Sequence, residues 1–224
     1  MTRRAIAKGT LISLIVAGLI VIALRFAGLV GENVAEKNAI AAFEKLGGQV
    51  IYRHENKPDL PTWIARAWPA SSTVRHLPLR GTKGTDAGLK QLRSLQSLRE
   101  LSLDWTEVTD AGLKELGSLR YLWYLNLYST KVTDAGLKEL AGLESLRSLV
   151  LADTKVTDLG LKELASLKNL SFLTLGGTQV TDAGLKELAG LNSLQTLYLA
   201  NTQVTEAGVA ELRKALPECN ITRK

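Results

Sequence analysis

Hydrophobic positions along most of this chain recur every 24 residues. The pattern LxxLxLxxTxV begins at Leu98, Leu122, Leu146, Leu170 and Leu194. Between its copies the pentapeptide Thr-Asp-Ala-Gly-Leu begins at Thr85, Thr109, Thr133 and Thr181, with variants at Thr157 and Thr205. A degenerate first copy runs from Val74 through Leu77 and Leu79 to Thr82, and Cys219 to Ile221 opens a truncated last one. The two leucines of each LxL lie two residues apart, the period of a strand, so both face inward and each copy contributes a short strand to a parallel sheet. The segment that follows, Val108-Thr109-Asp110-Ala111-Gly112-Leu113 in one copy, predicts a helix start. Thr109 caps it, Asp110 sits at the positive end of its dipole, and Val108 staples to Leu113. One copy cannot bury these faces alone; stacking does, and the six copies here exceed the roughly three that a continuous core needs.

This pattern resembles the leucine-rich-repeat family, specifically the ribonuclease-inhibitor-like horseshoes in which each strand is followed by a true helix. The resemblance covers residues 74–224. It implies an α/β solenoid, a right-handed β-α horseshoe segment with its parallel sheet on the concave face. The chain departs from the family's common pattern where asparagine or cysteine usually stands, placing threonine there instead at Thr82, Thr106, Thr130, Thr154, Thr178 and Thr202. The family's asparagine ladder bonds buried loop backbone. A hydroxyl also both donates and accepts, so the resemblance implies a threonine ladder linking each copy to those above and below.

Ahead of the repeats, Gly9 to Leu24 is free of charge, with Arg3, Arg4 and Lys8 before it and Arg25 after it. As a helix this run spans about 24 Å, short of the ~30 Å hydrocarbon core of a bilayer. Arg25 can snorkel while Phe26, Ala27, Leu29 and Val30 extend the apolar stretch. Residues 9–30 are therefore predicted to form a transmembrane signal-anchor. The basic cluster holds residues 1–8 in the cytoplasm and places the repeats outside it, in the periplasm or at the cell surface. A cleaved signal peptide, giving a secreted protein, is the competing reading. It lacks a clean small-x-small site, because Ala23-Leu24-Arg25 and Ala27-Gly28-Leu29 both break the rule. Residues 31–73 read as a neck helix, with Asn33 and Glu36 in a capping-box pattern and Gly47-Gly48 as its stop, and then an N-terminal cap containing Trp63 and Trp68. Residues 74–217 hold the six repeats and residues 218–224 the truncated one.

The formal charge of +6 suggests an anionic partner until its sources are located. Without the four basic residues of the N-terminal segment, 24 basic face 22 acidic residues, which excludes the concentrated basic stripe of a nucleic-acid binder. Cys219 is the only cysteine, so neither an intrachain disulfide nor a thiolate zinc cluster can form. The acidic column Asp86, Asp110, Asp134, Asp158, Asp182 and Glu206 reads as helix capping, its members too far apart for a calcium shell. The lysine column from Lys90 to Lys186 reads as a solvated convex face. His54 and His76 lie near no nucleophile or metal-spaced partner. No catalytic residue, metal site or cofactor is assigned.

Residues needed only for stacking recur in every copy, so candidate partner contacts are the positions that vary. On the strand face these include Glu100, Asp104, Trp105, Tyr124, Asn126, Tyr128, Phe172 and Tyr198, with Trp123 adjoining. Aromatic residues of this kind are enriched at interface hot spots, and solenoids bind through concave faces. Three functions fit: a membrane-anchored module of a cell envelope that binds a protein or a glycan, as in the small anchored bacterial proteins this layout resembles; a structural spacer without a ligand; and a cytoplasm-facing adaptor of the ubiquitin-ligase substrate-receptor type.

Overall fold

The computed structural model describes residues 76–81 and 86–223. The predicted anchor at 9–30, the neck and cap with His54, Trp63 and Trp68, and the threonines Thr82 and Thr85 lie outside the described residues. Among the described residues no helix is long and apolar enough to cross a membrane.

Among the described residues seven strands form one parallel sheet in chain order. They are β1 (His76–Pro78), β2 (Glu100–Ser102), β3 (Tyr124–Asn126), β4 (Ser148–Val150), β5 (Phe172–Thr174), β6 (Thr196–Tyr198) and β7 (Asn220–Thr222). Register follows the repeat: Leu77, Leu101, Leu125, Leu149, Leu173, Leu197 and Ile221 pair in sequence along the sheet. These residues and the leucine two positions later, from Leu79 to Leu199, are buried, as period-two alternation requires. Each such burial contributes about 1.5–3 kcal/mol. Stacked copies thus share one continuous core.

The convex side departs from the true helices that the resemblance implies. Most copies form a single α-turn: α1 (Asp86–Leu89), α2 (Asp110–Leu113), α3 (Asp134–Leu137) and α5 (Asp182–Leu185), with α4 (Asp158–Leu164) somewhat longer. Three of these pass into 3-10 turns at Lys90–Ser94, Lys138–Leu140 and Lys186–Leu188. Leucine spacing explains the difference. In the copy with the Lys90–Ser94 turn, Leu89, Leu92, Leu95 and Leu98 are all buried and lie three residues apart, the period of a 3-10 helix. An α-helix would rotate each successive leucine by about 60° away from the core. In the last copy the apolar positions Val209, Leu212 and Leu216 return to a 3,4 spacing, and α6 (Glu206–Ala215) runs ten residues. It stops at Leu216, the residue before Pro217, where continuing the α conformation is disfavoured.

That longer helix and the residues before it also bond to the last described strand and to Arg223 just after it. Arg223 donates to the Glu206 carboxylate from Nε and Nη2 at 3.0 and 2.9 Å, and from Nη1 to the Val204 carbonyl. Arg213 donates to the Ile221 carbonyl beside the β7 edge.

The expected threonine ladder is replaced by bonds within each copy. Thr106, Thr130, Thr154, Thr178 and Thr202 each donate to the leucine carbonyl three residues back, at 2.6–2.8 Å. Copies stack at about the 4.8 Å strand spacing. A hydroxyl on Cβ is too short to bridge that gap, but it closes a tight turn within its own copy.

Bonds between copies are made by the acidic column. Asp86, Asp110, Asp134, Asp158 and Asp182 each accept the backbone N–H of the next copy's cap threonine through Oδ1 at 2.7–2.9 Å. Each also accepts that threonine's hydroxyl through Oδ2 at 2.6–2.7 Å. In most copies the threonine oxygen in turn accepts the N–H two residues on, which caps the next turn. The glycine of the motif makes room for this arrangement. A Cβ on Gly112 would lie 2.5 Å from Asp86 Oδ1 and 2.8 Å from Leu89 Cδ1. Thr, Asp and Gly therefore recur together because they form one lock between neighbouring copies.

Candidate binding face

Three residues past the end of each strand from β1 to β6 the chain turns sharply at a left-handed position. Gly81, Trp105, Ser129, Asp153, Gly177 and Asn201 all have φ between 53° and 70°, spaced one copy apart. Most of these residues donate their N–H to the neighbouring copy, as Trp105 does to Tyr128 O at 3.0 Å. Glycine, asparagine and aspartate suit such a backbone. Tryptophan does not, and a bulky residue held there carries strain of about 1–3 kcal/mol. Trp105 is nonetheless 52% exposed, so burial of its ring recovers little of that cost. Its one aromatic contact among the described residues is edge-to-face with Tyr128, with ring centroids 5.2 Å apart.

A polar chain beneath this pair fixes the local surface. Asp104 is buried at 5% exposure and accepts from Ser102 Oγ at 2.7 Å while pairing with Arg80 Nε at 3.1 Å. Asn126 donates to Ser102 Oγ and accepts the Tyr128 N–H. Of these two candidates Asp104 is buried, while Asn126 stays half-buried on the strand face with its amide engaged by Ser102 and Tyr128, so both position the residues around them. The Tyr128 hydroxyl donates to Asp153, which raises its pKa. Burial raises the Tyr124 hydroxyl, and the nearby Asp104 and Glu100 carboxylates add to the effect.

The aromatic candidates form two groups rather than one patch. Trp105, Tyr124 and Tyr128 lie on and beside β2 and β3. Phe172 and Tyr198 pair across β5 and β6, with ring centroids 5.7 Å apart. Between them β4 carries Ser148 and Val150, with Ala152 two residues beyond its end, so a floor of small residues about two strand spacings, ~10 Å, wide separates the walls.

A second surface lies at the opposite rim, where the chain enters the strands. There a cleft of about 890 Å³ is lined by Arg99, Tyr121, Trp123, Glu144, Arg147 and Phe172, among others. Tyr121 is 60% exposed and Trp123 37%. Tyr121 and the arginines were not among the sequence candidates. The signal was present: Tyr121 interrupts a column that otherwise reads Ser97, Ser145, Asn169 and Ser193. It lies before β3, off the strand face where the alternating outward positions point. Among the described residues no group of His, Cys, Asp and Glu is placed to hold a metal ion.

A family model for the leucine-rich repeat matches residues 94–117 and 142–165. The core, sheet and connecting turns of the described residues repeat in step with that motif, so the chain carries leucine-rich repeats. No curated protein matches the sequence. Among solved structures the chain is similar to an internalin (inlF) from Listeria monocytogenes, at 22% identity over 66% of this chain and 46% of that one, with a TM-score of 0.49. It is also similar to a leucine-rich-repeat protein from Leptospira interrogans, at 29% identity over 58% of this chain and 38% of that one, with a TM-score of 0.44. A third similar structure is internalin C2 from Listeria monocytogenes, at 25% identity over 68% of this chain and 83% of that one, with a TM-score of 0.48. The chain spans less than half the length of the first two structures.

Proposed function

We propose that this protein is a membrane-anchored binding module that holds a protein partner on its strand face, around Trp105 and Tyr128. The observation that carries this reading is Trp105, a large aromatic residue in a left-handed backbone position and more than half exposed. Stacking requires neither its size nor its strain, because the equivalent position in other copies takes Gly, Ser, Asp or Asn. Aromatic anchors set among well-fixed neighbours are the usual carriers of interface energy. The anchor at residues 9–30 and the placement of the repeats outside the cytoplasm rest on the apolar run and the basic cluster before it.

The test is crosslinked capture from a membrane extract, comparing the 224-residue chain with a variant carrying Trp105→Asn and Tyr128→Ala. Capture by the parent and loss in an equally stable variant supports the face. Equal capture by both removes it and favours a spacer. A glycan array run in parallel distinguishes a sugar ligand from a protein one. Cys219 is buried and thus a poor reporter of orientation, so Ser193→Cys, at an exposed position, is the site to label with an impermeant maleimide in intact cells. Labelling only after lysis would contradict the outside placement.

A further inference from the structure

We infer that the rim cleft binds a carboxylate-bearing, aromatic-containing peptide segment of the protein partner, between Arg99 and Arg147 and against Trp123. This inference rests on the protein-binding reading and adds a second contact region with its own chemistry. The three residues stand in line on neighbouring copies: Trp123 N donates to Arg99 O at 2.8 Å, and Arg147 N donates to Trp123 O at 2.9 Å. At strand spacing this places the two arginines about 10 Å apart with an indole between them. Neither guanidinium forms an ion pair among the described residues, whereas Arg80, Arg93 and Arg223 do.

A planar guanidinium recognises a carboxylate through two parallel hydrogen bonds, and Trp123 and Tyr121 offer exposed faces for a ring to stack on. Glu144 on the same cleft opposes a dense polyanion such as nucleic acid, but tolerates a segment whose single acid lies near the arginines. Charge and aromatic surface together therefore select a short acidic-aromatic sequence.

The test is selection of displayed random peptides on the full 224-residue chain, followed by affinity measurement with the selected peptides. The expected winners carry Asp or Glu close to Tyr, Trp or Phe. Their affinity falls about tenfold in Arg99→Gln/Arg147→Gln and stays within about twofold in Arg120→Gln, an exposed arginine that does not line the cleft. Binding should also weaken severalfold on raising salt to about 0.5 M. Winners without an acidic residue, or equal affinity in the double arginine variant, would overturn the proposal. Arginine-dependent binding of a uronate oligosaccharide in place of any peptide would overturn it as well. The Trp105→Asn/Tyr128→Ala variant keeps the two readings apart. Peptide binding retained there while partner capture is unchanged from the parent removes the strand face alone, and capture lost there with no acidic peptide ever selected removes the cleft alone.

Discussion

The turn side and the strand face of this solenoid are built from the same 24-residue copies but obey different rules. On the turn side every copy before the last repeats Thr, Asp and Gly at fixed places, because the aspartate of one copy binds the cap threonine of the next over the space that the glycine leaves. On the strand face only the inward leucines are fixed, and the outward positions range from Glu100 to Phe172 to Thr196. A polar residue can therefore be as strictly repeated as a core leucine, and strict repetition marks stacking, whatever the side chain's polarity. Variation marks surface that stacking leaves free.

The comparison is broken most severely at the glycine of the lock. Gly112→Ala places a Cβ against Asp86 Oδ1 and Leu89 Cδ1, and should destabilise the chain by about 3 kcal/mol in urea unfolding. Gly142→Ala, whose nearest neighbour would be a backbone oxygen at 3.6 Å, should stay within about 0.5 kcal/mol. Equal effects would show that the clearance at Gly112 is not needed. Next in size, Asp110→Ala removes both acceptors of Thr133 and should cost about 2 kcal/mol. Asp110→Asn keeps an acceptor for the backbone N–H and should lose roughly half as much.

A smaller effect is expected from pH. The Thr205 hydroxyl, and then its backbone N–H, hold the Asp182 carboxyl below its ordinary pKa. The stabilisation this gives is complete above the unfolded value of about 3.9 and is lost as pH falls through the lower folded value. The urea midpoint should therefore drop below about pH 4, with a shallower drop in Asp182→Asn; identical profiles would remove Asp182 as a contributor. Smallest of all in stability is Trp105→Asn. Asparagine tolerates the left-handed backbone and already occupies it at Asn201, so the strain relieved offsets the lost contact with Tyr128. Stability should change by less than about 0.5 kcal/mol while partner affinity falls about tenfold. A large loss of stability would mean that Trp105 is structural.

How far each region could be read in advance follows from its range of interaction. Leucines at period two specify inward-facing strand positions by local geometry alone, so the sheet, its register and its core were legible from Leu77 to Ile221. The threonine cap was legible too, because Thr109 acts on the N–H of Ala111 only two residues away. The role of Asp86 was not, because its partner Thr109 lies 23 residues on and a carboxylate at a helix start satisfies the dipole argument equally well. Tyr124 and Phe172 are legible as variable strand-face positions, but their division into two groups depends on which rings meet across neighbouring strands.

The sequence by itself determined the repeat, the inward leucines, the capping threonines and the list of positions free to vary, since each depends on periodicity or on neighbours within one turn. Only the tertiary structure decided that the acidic column locks copies together, that Asp104 is buried and the Asn126 amide engaged, that Trp105 is held in a strained turn, and that Arg99, Trp123 and Arg147 share a rim. Those outcomes depend on distances between copies 24 residues apart in sequence and about 4.8 Å apart in space. Stacking sets those distances, and no single copy encodes them.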